Sequence, residues 1–203
     1  MEDLGTIGIY EIITIFLPPQ RSISGTSMSS REESSVYSPE VVDFVTVADQ
    51  VCRYIEHSQR FEKYEYIGVM RKLFSLIYIK ALNLPSFHPV FDEAGDRFVQ
   101  EADWIRIDSE LSVKFDTDNR FEEPYHDMSR SAGELESVTL SEYMADIYQD
   151  IKDFCLQYQT GTEEIMNDAL WECGNTFHSG WGARVVSCLK AFHTIVAARE
   201  SRE

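Results

Sequence analysis

The chain has 203 residues, 43% of them apolar, with 35 acidic against 18 basic side chains and a formal net charge of −17. That length and apolar content suit one domain with a single core, or one domain plus a tail. The charge repels phosphate backbones and anionic membrane surfaces at long range and no basic run offsets it, so neither nucleic acid nor a membrane is an expected partner.

Residues 1–35 differ from the rest. MEDLGTIGIYEIITIFLPP is apolar but carries acids at Glu2, Asp3 and Glu11 and no leading positive charge, which makes it a poor secretory signal, and it is too short to span a bilayer. QRSISGTSMSSREESS follows, with the Ser, Gly and charge content of a flexible linker. The expectation is a loosely docked or flexible extension over residues 1–35, with Met28 as an alternative start, and a folded domain over residues 36–203. The other reading docks Ile7 to Phe16 on that domain as a strand or short helix, which its β-branched content permits.

Ser38-Pro39 opens the first helix, a capping hydroxyl followed by proline where its missing N–H costs nothing. Val41, Phe44, Val45, Ala48, Cys52 and Ile55 recur at helical spacing and carry it to about His57. A second helix from about Glu62 presents Ile67, Met70, Leu73, Phe74, Ile77, Ala81 and Leu84 on one face. Val69, Leu76, Tyr78 and Ile79 make it apolar nearly all round, the pattern of a central helix, and Pro85 ends it.

Ser86 to Asp96, with Pro89 and Gly95, reads as a loop. Phe98 to Lys114 shows a weaker helical pattern through Phe98, Ala102, Ile105, Ser109 and Leu111 or Val113, with Trp104 beside it. Phe115 to Glu136 is acidic, broken by Pro124 and Gly133, and lacks any sustained period, so it reads as a long acidic loop.

The clearest helical signals lie between Thr139 and Trp181. In T-L-S-E, Thr139 and Glu142 have the spacing at which each side chain caps the other's backbone N–H. Leu140, Tyr143, Met144, Ile147, Ile151, Phe154, Cys155 and Tyr158 then form one stripe. Glu142, Asp146, Asp150 and Asp153 gather roughly 120° away, as a solvated acidic face would. Gly161 is placed for a left-handed helix cap, and Thr162 with Glu163 and Glu164 opens the next helix, giving a tight helical hairpin. There Ile165, Met166, Ala169, Cys173 and Phe177 point inward, while Trp171 projects nearly opposite, alongside Asn167, Asn175 and His178. Gly180-Trp181-Gly182 breaks or kinks the path. Arg184 to Arg199 forms the last helix, its basic end placed to face the acidic stripe.

No motif of high specificity for catalysis or ligand binding occurs. The chain has no E-x-x-H for a di-metal bundle. Glu62 with Glu65, and Glu93 with Asp96, match the letters of the Mg²⁺-holding pairs of helical pyrophosphohydrolases, but the second pair sits in a Pro/Gly loop. Arg120 to His126 has the spacing of a helical ribonuclease motif, opposed by Pro124. Asp116 to Asp118 resembles a calcium loop in which Phe121 occupies the position requiring glycine. The five histidines share no triad or metal spacing. Cys52, Cys155, Cys173 and Cys188 fall singly inside helices, without C-x-x-C, and read as small buried thiols in a reducing, cytoplasmic setting.

VYSPEVVDFVTVADQVCRYIE, MADIYQDIKDF and NDALWECGNTFHSGWGARVVSCLKAFH together resemble a bacterial family of uncharacterised all-helical proteins, the domain of unknown function numbered 5063, over roughly residues 36–193. The resemblance implies a helical fold and transfers no activity and no functional residue.

The expected fold is all-α, a single-domain helical bundle of about six helices with one long acidic loop. The expected function is a protein-binding or adaptor module without a cofactor, its contact face built from Asn167, Trp171, Asn175 and His178, which requires an exposed apolar patch. The alternative is a metal-dependent hydrolase of a phosphate-containing small molecule, with Mg²⁺ held by Asp146, Asp150 and Glu172 converging in a pocket.

Overall fold

A computed structural model describes residues 35–91, 95–124 and 135–202. Residues 1–34 of the extension expected over 1–35, Glu93 of the pyrophosphohydrolase-like pair, and the middle of the expected acidic loop, with His126, lie outside the described residues.

Helix α1 (Pro39–Glu56) runs antiparallel to α2 (Lys63–Leu82), and a connecting stretch over 83–100 leads to α3 (Glu101–Phe115). Two short strands, β1 (Arg120–Pro124) and β2 (Leu135–Thr139), then pair antiparallel from Arg120 opposite Thr139 to Pro124 opposite Leu135. Helices α4 (Leu140–Thr160), α5 (Glu163–Thr176) and α6 (Gly182–Glu200) complete the bundle, α5 and α6 being joined by one π-helical turn, Phe177–Trp181. Among the described residues the fold is helical apart from the strand pair.

The start signals work as side-chain chemistry. The Ser38 hydroxyl accepts from the Val41 N–H at 3.5 Å with Pro39 in the first turn. At α4 the Thr139 hydroxyl accepts from the Glu142 N–H at 3.3 Å and donates to the Glu142 carboxylate at 2.6 Å. Gly161 departs from expectation. Its φ of −91° is extended, not left-handed, and glycine is needed there because a Cβ would lie 2.7 Å from Cβ of Ile165.

Periodicity named the elements but misplaced two of them in the bundle. The central helix is α4, with α1, α3, α5 and α6 packed around it, and it buries Ser141, Asp153 and Gln157 along with its apolar stripe. Helix α2 lies at the edge, between α1 and α6, and leaves Leu76, Ile79 and Leu82 about half exposed. In α3 the inward residues are Ile107, Leu111 and Phe115, each a turn apart, whereas Ile105 and Val113 face solvent. Phe115 fixes the phase by packing on Tyr66 and Phe192.

The acidic segment after α3 is not irregular throughout. Phe121 packs edge-on against Tyr143 of α4, ring centroids 5.6 Å apart, and the Tyr143 hydroxyl reaches the buried Glu123 carboxylate at 3.5 Å. Docking on α4 thus holds as strands two segments in which Glu and Pro dilute the β propensity of Phe121, Val138 and Thr139. Burial and the adjacent Glu123 and Glu136 push the Tyr143 phenol up to about 12. Arg199 also departs from expectation: it lies over the Tyr64 ring at 4.3 Å, and it is Arg184 that meets the acidic stripe, 3.0 Å from Asp146.

Candidate functional site

The described parts of the connection between α2 and α3, residues 83–91 and 95–100, form a strap held by side chains of α5 and α4. Asn167 donates to the His88 carbonyl at 2.6 Å, and the Asp168 carboxylate accepts the backbone N–H groups of Val90 and Phe91 at 2.7 and 2.8 Å. Slight burial raises the Asp168 carboxyl, but those N–H donors and Asn167 outweigh it and hold it below the usual carboxylate range. Further along, Gln157 donates to the Asp96 carbonyl at 2.9 Å. One oxygen of the buried Asp153 accepts both the Phe98 and Val99 N–H groups at 2.8 Å, and Arg97 bridges Glu172 at 2.9 Å and Asp153 at 3.5 Å.

Where the strap leaves α2, it and α5 enclose a cleft of about 220 Å³. Leu84, Pro85, Ser86 and Phe87 form one wall, and Trp171, Asn175 and His178 the other. Trp181 closes the base, wholly buried, its indole N–H donating to the Cys173 carbonyl at 3.1 Å. Phe177 and Trp181, four residues apart across the π turn, pack with ring centroids 4.8 Å apart while His178 stays at the surface. Gly174 lies on the cleft, and a Cβ built there meets nothing within 4 Å, so part of the space exists because that position has no side chain.

Of the residues expected at a contact face, the structure brings Trp171, Asn175 and His178 to one cleft and leaves Asn167 outside it, engaged with the strap. Trp171 is half-buried rather than fully exposed. Periodicity missed Phe87 and Trp181. Phe87 was visible only as an apolar residue between Pro85 and Pro89, and Trp181 stood in a stretch expected to break the helix.

The carboxylates of the hydrolase alternative have other partners. Asp146 accepts from the Trp104 indole N–H at 2.9 Å and pairs with Arg184, and Glu172 is bridged by Arg97. Asp150 and Glu172 do line a common hollow with Asp153 and Arg97, but its volume is about 10 Å³, the space of a single water. Among the described residues no three His, Cys, Asp or Glu side chains form a group able to hold a metal ion. Glu142 is exposed, but the rest of the acidic stripe, Asp146, Asp150 and Asp153, is therefore not a solvated face. It lies against α3, the strap and Arg184, and burial pushes the Asp150 carboxyl up to about 6 despite the pull of Arg184 and Arg97.

A larger hollow, about 350 Å³, separates β1 from α6. Its lining mixes Arg120 and Lys190 with Asp118 and Glu122, and none of the expected residues reaches it. All four cysteines are free and buried, which raises the thiols of Cys52, Cys173 and Cys188. No helix among the described residues is long and apolar enough to cross a membrane.

The family model described as Domain of unknown function (DUF5063) matches residues 35–198, and the chain belongs to that family. The crystal structure of protein BF1032 from Bacteroides fragilis is similar, with a TM-score of 0.70 and 29% identity, over 79% of this chain and 94% of that one. No curated protein matches the sequence.

Proposed function

We propose that this member of the DUF5063 family is a protein-binding module, and that the cleft between the strap and α5 takes an apolar side chain of a partner. One observation carries the reading. Trp171 points away from the core stripe of α5, and with Phe87, His178 and the base of Trp181 it bounds a preformed cleft of about 220 Å³, sized for a single large side chain. Asn175 and His178 on its rim supply donors and acceptors that would orient the backbone of the incoming segment. The cleft is held open by Gly174 and by the hydrogen bonds of Asn167 and Asp168 to the strap, so little ordering is left to be done on binding. Free, buried thiols suit the reducing interior of a cell.

Selection of peptides from a random library against the immobilised full chain tests this. Gly174→Leu fills the cleft from a position with open space and raises helix propensity, so it should leave the fold intact. Recovered peptides should share one apolar anchor and bind Gly174→Leu and Trp171→Ala about tenfold to a hundredfold more weakly, as burial of one side chain implies. Peptides that bind both variants as well as wild type would remove the cleft from the interaction.

A further inference from the structure

Helices α2 and α6 lie side by side, Phe74 stacking with Phe192 at 6.1 Å and Arg71 meeting His193 at 3.4 Å, and their outer face combines exposed apolar residues with basic ones. Leu76, Ile79 and Leu82 on α2 and Val186 on α6 are 46 to 58% exposed. Leu82 directly follows Ala81, which lines the cleft, so the apolar strip begins at the cleft mouth. Lys72, seven residues before Ile79, falls within about 20° of it on the helix, and Lys190 follows Val186 by about one turn.

The charge follows the same division. Helices α2 and α6 carry seven basic and two acidic side chains, while α1, α3, α4 and α5 carry four basic and sixteen acidic. Lys63, Lys80 and Arg184 are engaged with Asp118, Asp43 and Asp146. Lys72 and Lys190 are exposed, Lys190 also bordering the β1 hollow, and Arg71 lies beside His193 between the two helices. A basic and apolar seam between two packed helices, in a chain of net charge −17, selects its partner doubly. An acidic segment is repelled by four helices and attracted here, and a basic one is drawn to the acidic helices instead.

We infer that the α2–α6 face docks an amphipathic helix of another protein, apolar on the side that covers Ile79, Leu82 and Val186 and acidic on the flanks that meet Lys72 and Lys190. A helix laid into the seam between two helices uses the ordinary packing of such surfaces, and α2 and α6 offer no strand edge for an extended chain. The inference rests on the protein-binding reading and names the chemistry of the partner; the cleft would receive the residue at the end of that helix.

The test is fluorescence anisotropy of the full chain with two labelled helical peptides, one with Leu and Ile along one side and Glu elsewhere, the other with Lys in place of Glu. The Glu peptide should bind at least about tenfold more tightly than the Lys peptide. Its affinity should fall as salt rises and drop about tenfold in Ile79→Asp and Lys72→Glu, exposed positions that leave the core untouched. Equal binding of the two peptides, or binding of neither, overturns the inference. So does a concentration-dependent dimer in sedimentation that Ile79→Asp abolishes, since the face would then belong to a second copy, and so does binding of phosphatidylserine vesicles or duplex DNA in preference to the Glu peptide. Peptide binding that survives Trp171→Ala but not Ile79→Asp would keep this inference and remove the cleft, and the converse would do the reverse.

Discussion

Asp150 stands on α4 where Arg97 of the strap and Arg184 of α6 approach, near Asp146 and Asp153, and burial outweighs the pull of the two cations to push its carboxyl up to about 6. The sign of the pH effect follows. The folded state holds the proton more tightly than the unfolded chain, whose Asp titrates near 4, so the contribution is fully present below about pH 4 and is lost as pH rises through about 6. Discounted for the solvent that still reaches the group, the loss is about 1 to 2 kcal/mol. Asp150→Asn, which mimics the protonated form, should therefore be more stable than wild type by that amount at pH 7.5 and indistinguishable from it at pH 4, in denaturant unfolding followed by circular dichroism. Destabilisation at pH 7.5 would mean that the attraction of the nearby Arg97 and Arg184 charges dominates instead. Asp153, one turn away, has a different environment: two backbone N–H groups of the strap converge on one of its oxygens at 2.8 Å. Two carboxylates on one helix thus differ in role because only one of them meets the strap's free donors, and nothing in the spacing D-I-K-D distinguishes them.

Among the elements, the π turn over Phe177–Trp181 decides the most. A glycine pair flanking a tryptophan reads as a break, yet the helical path continues from α5 into α6, widened by one residue so that Trp181 can turn under α5 and pack on Phe177 and Phe44. The two glycines are not equivalent. A Cβ on Gly182 would lie 2.5 Å from the Phe177 carbonyl and 2.7 Å from its ring, whereas one on Gly180 would meet only the end of the Arg184 side chain, at 3.1 Å. Gly182→Ala should cost about 2 to 3 kcal/mol through forced displacement of the turn. Gly180→Ala should stay within about 0.5 kcal/mol of wild type. Thermal unfolding of the two variants checks this, and equal effects would mean that the turn is not held by the Gly182 contact. The strap shows the same principle in a loop. Its Pro and Gly content announces irregular backbone, but which helix it crosses is set by Asn167, Asp168, Gln157 and Asp153, all on elements that follow it in the chain.

For the molecule as a whole, the dominant electrostatic fact is one-sidedness. With sixteen acids against four bases on four helices, like charges face one another across α1, α3, α4 and α5, and only part of that repulsion is met by bridges such as Lys152 with Glu56 at 2.6 Å and Arg97 with Glu172. Screening should therefore stabilise the fold: the unfolding temperature should rise by a few degrees as ionic strength goes from about 0.01 M to about 0.15 M. A falling temperature would show that the specific bridges outweigh the general repulsion. Much of this was legible beforehand. Composition and charge are read directly from the letters. Helix existence and starts at Pro39 and Leu140 follow from local rules, in which Ser38, Thr139 and the apolar periods act within a few residues. The family was recognisable from runs such as DIYQDIKDF. The candidate cleft was half legible, since Trp171, Asn175 and His178 share a helical face by geometry alone.

What the sequence determined by itself is whatever depends on neighbours within about two turns: the helices, their caps, the buried thiols and the overall acidity. Only the tertiary structure decided that α4 rather than α2 is central, that the acids of α4 are covered, that Phe121 belongs to a strand, and that Phe87 and Trp181 complete the cleft. Each of those depends on which faces meet across tens of residues. The apolar surfaces of α2 and α4 are similar enough in their letters that the choice rests on the partners each finds, and α2, packed chiefly against α1 and α6, is left with an open face.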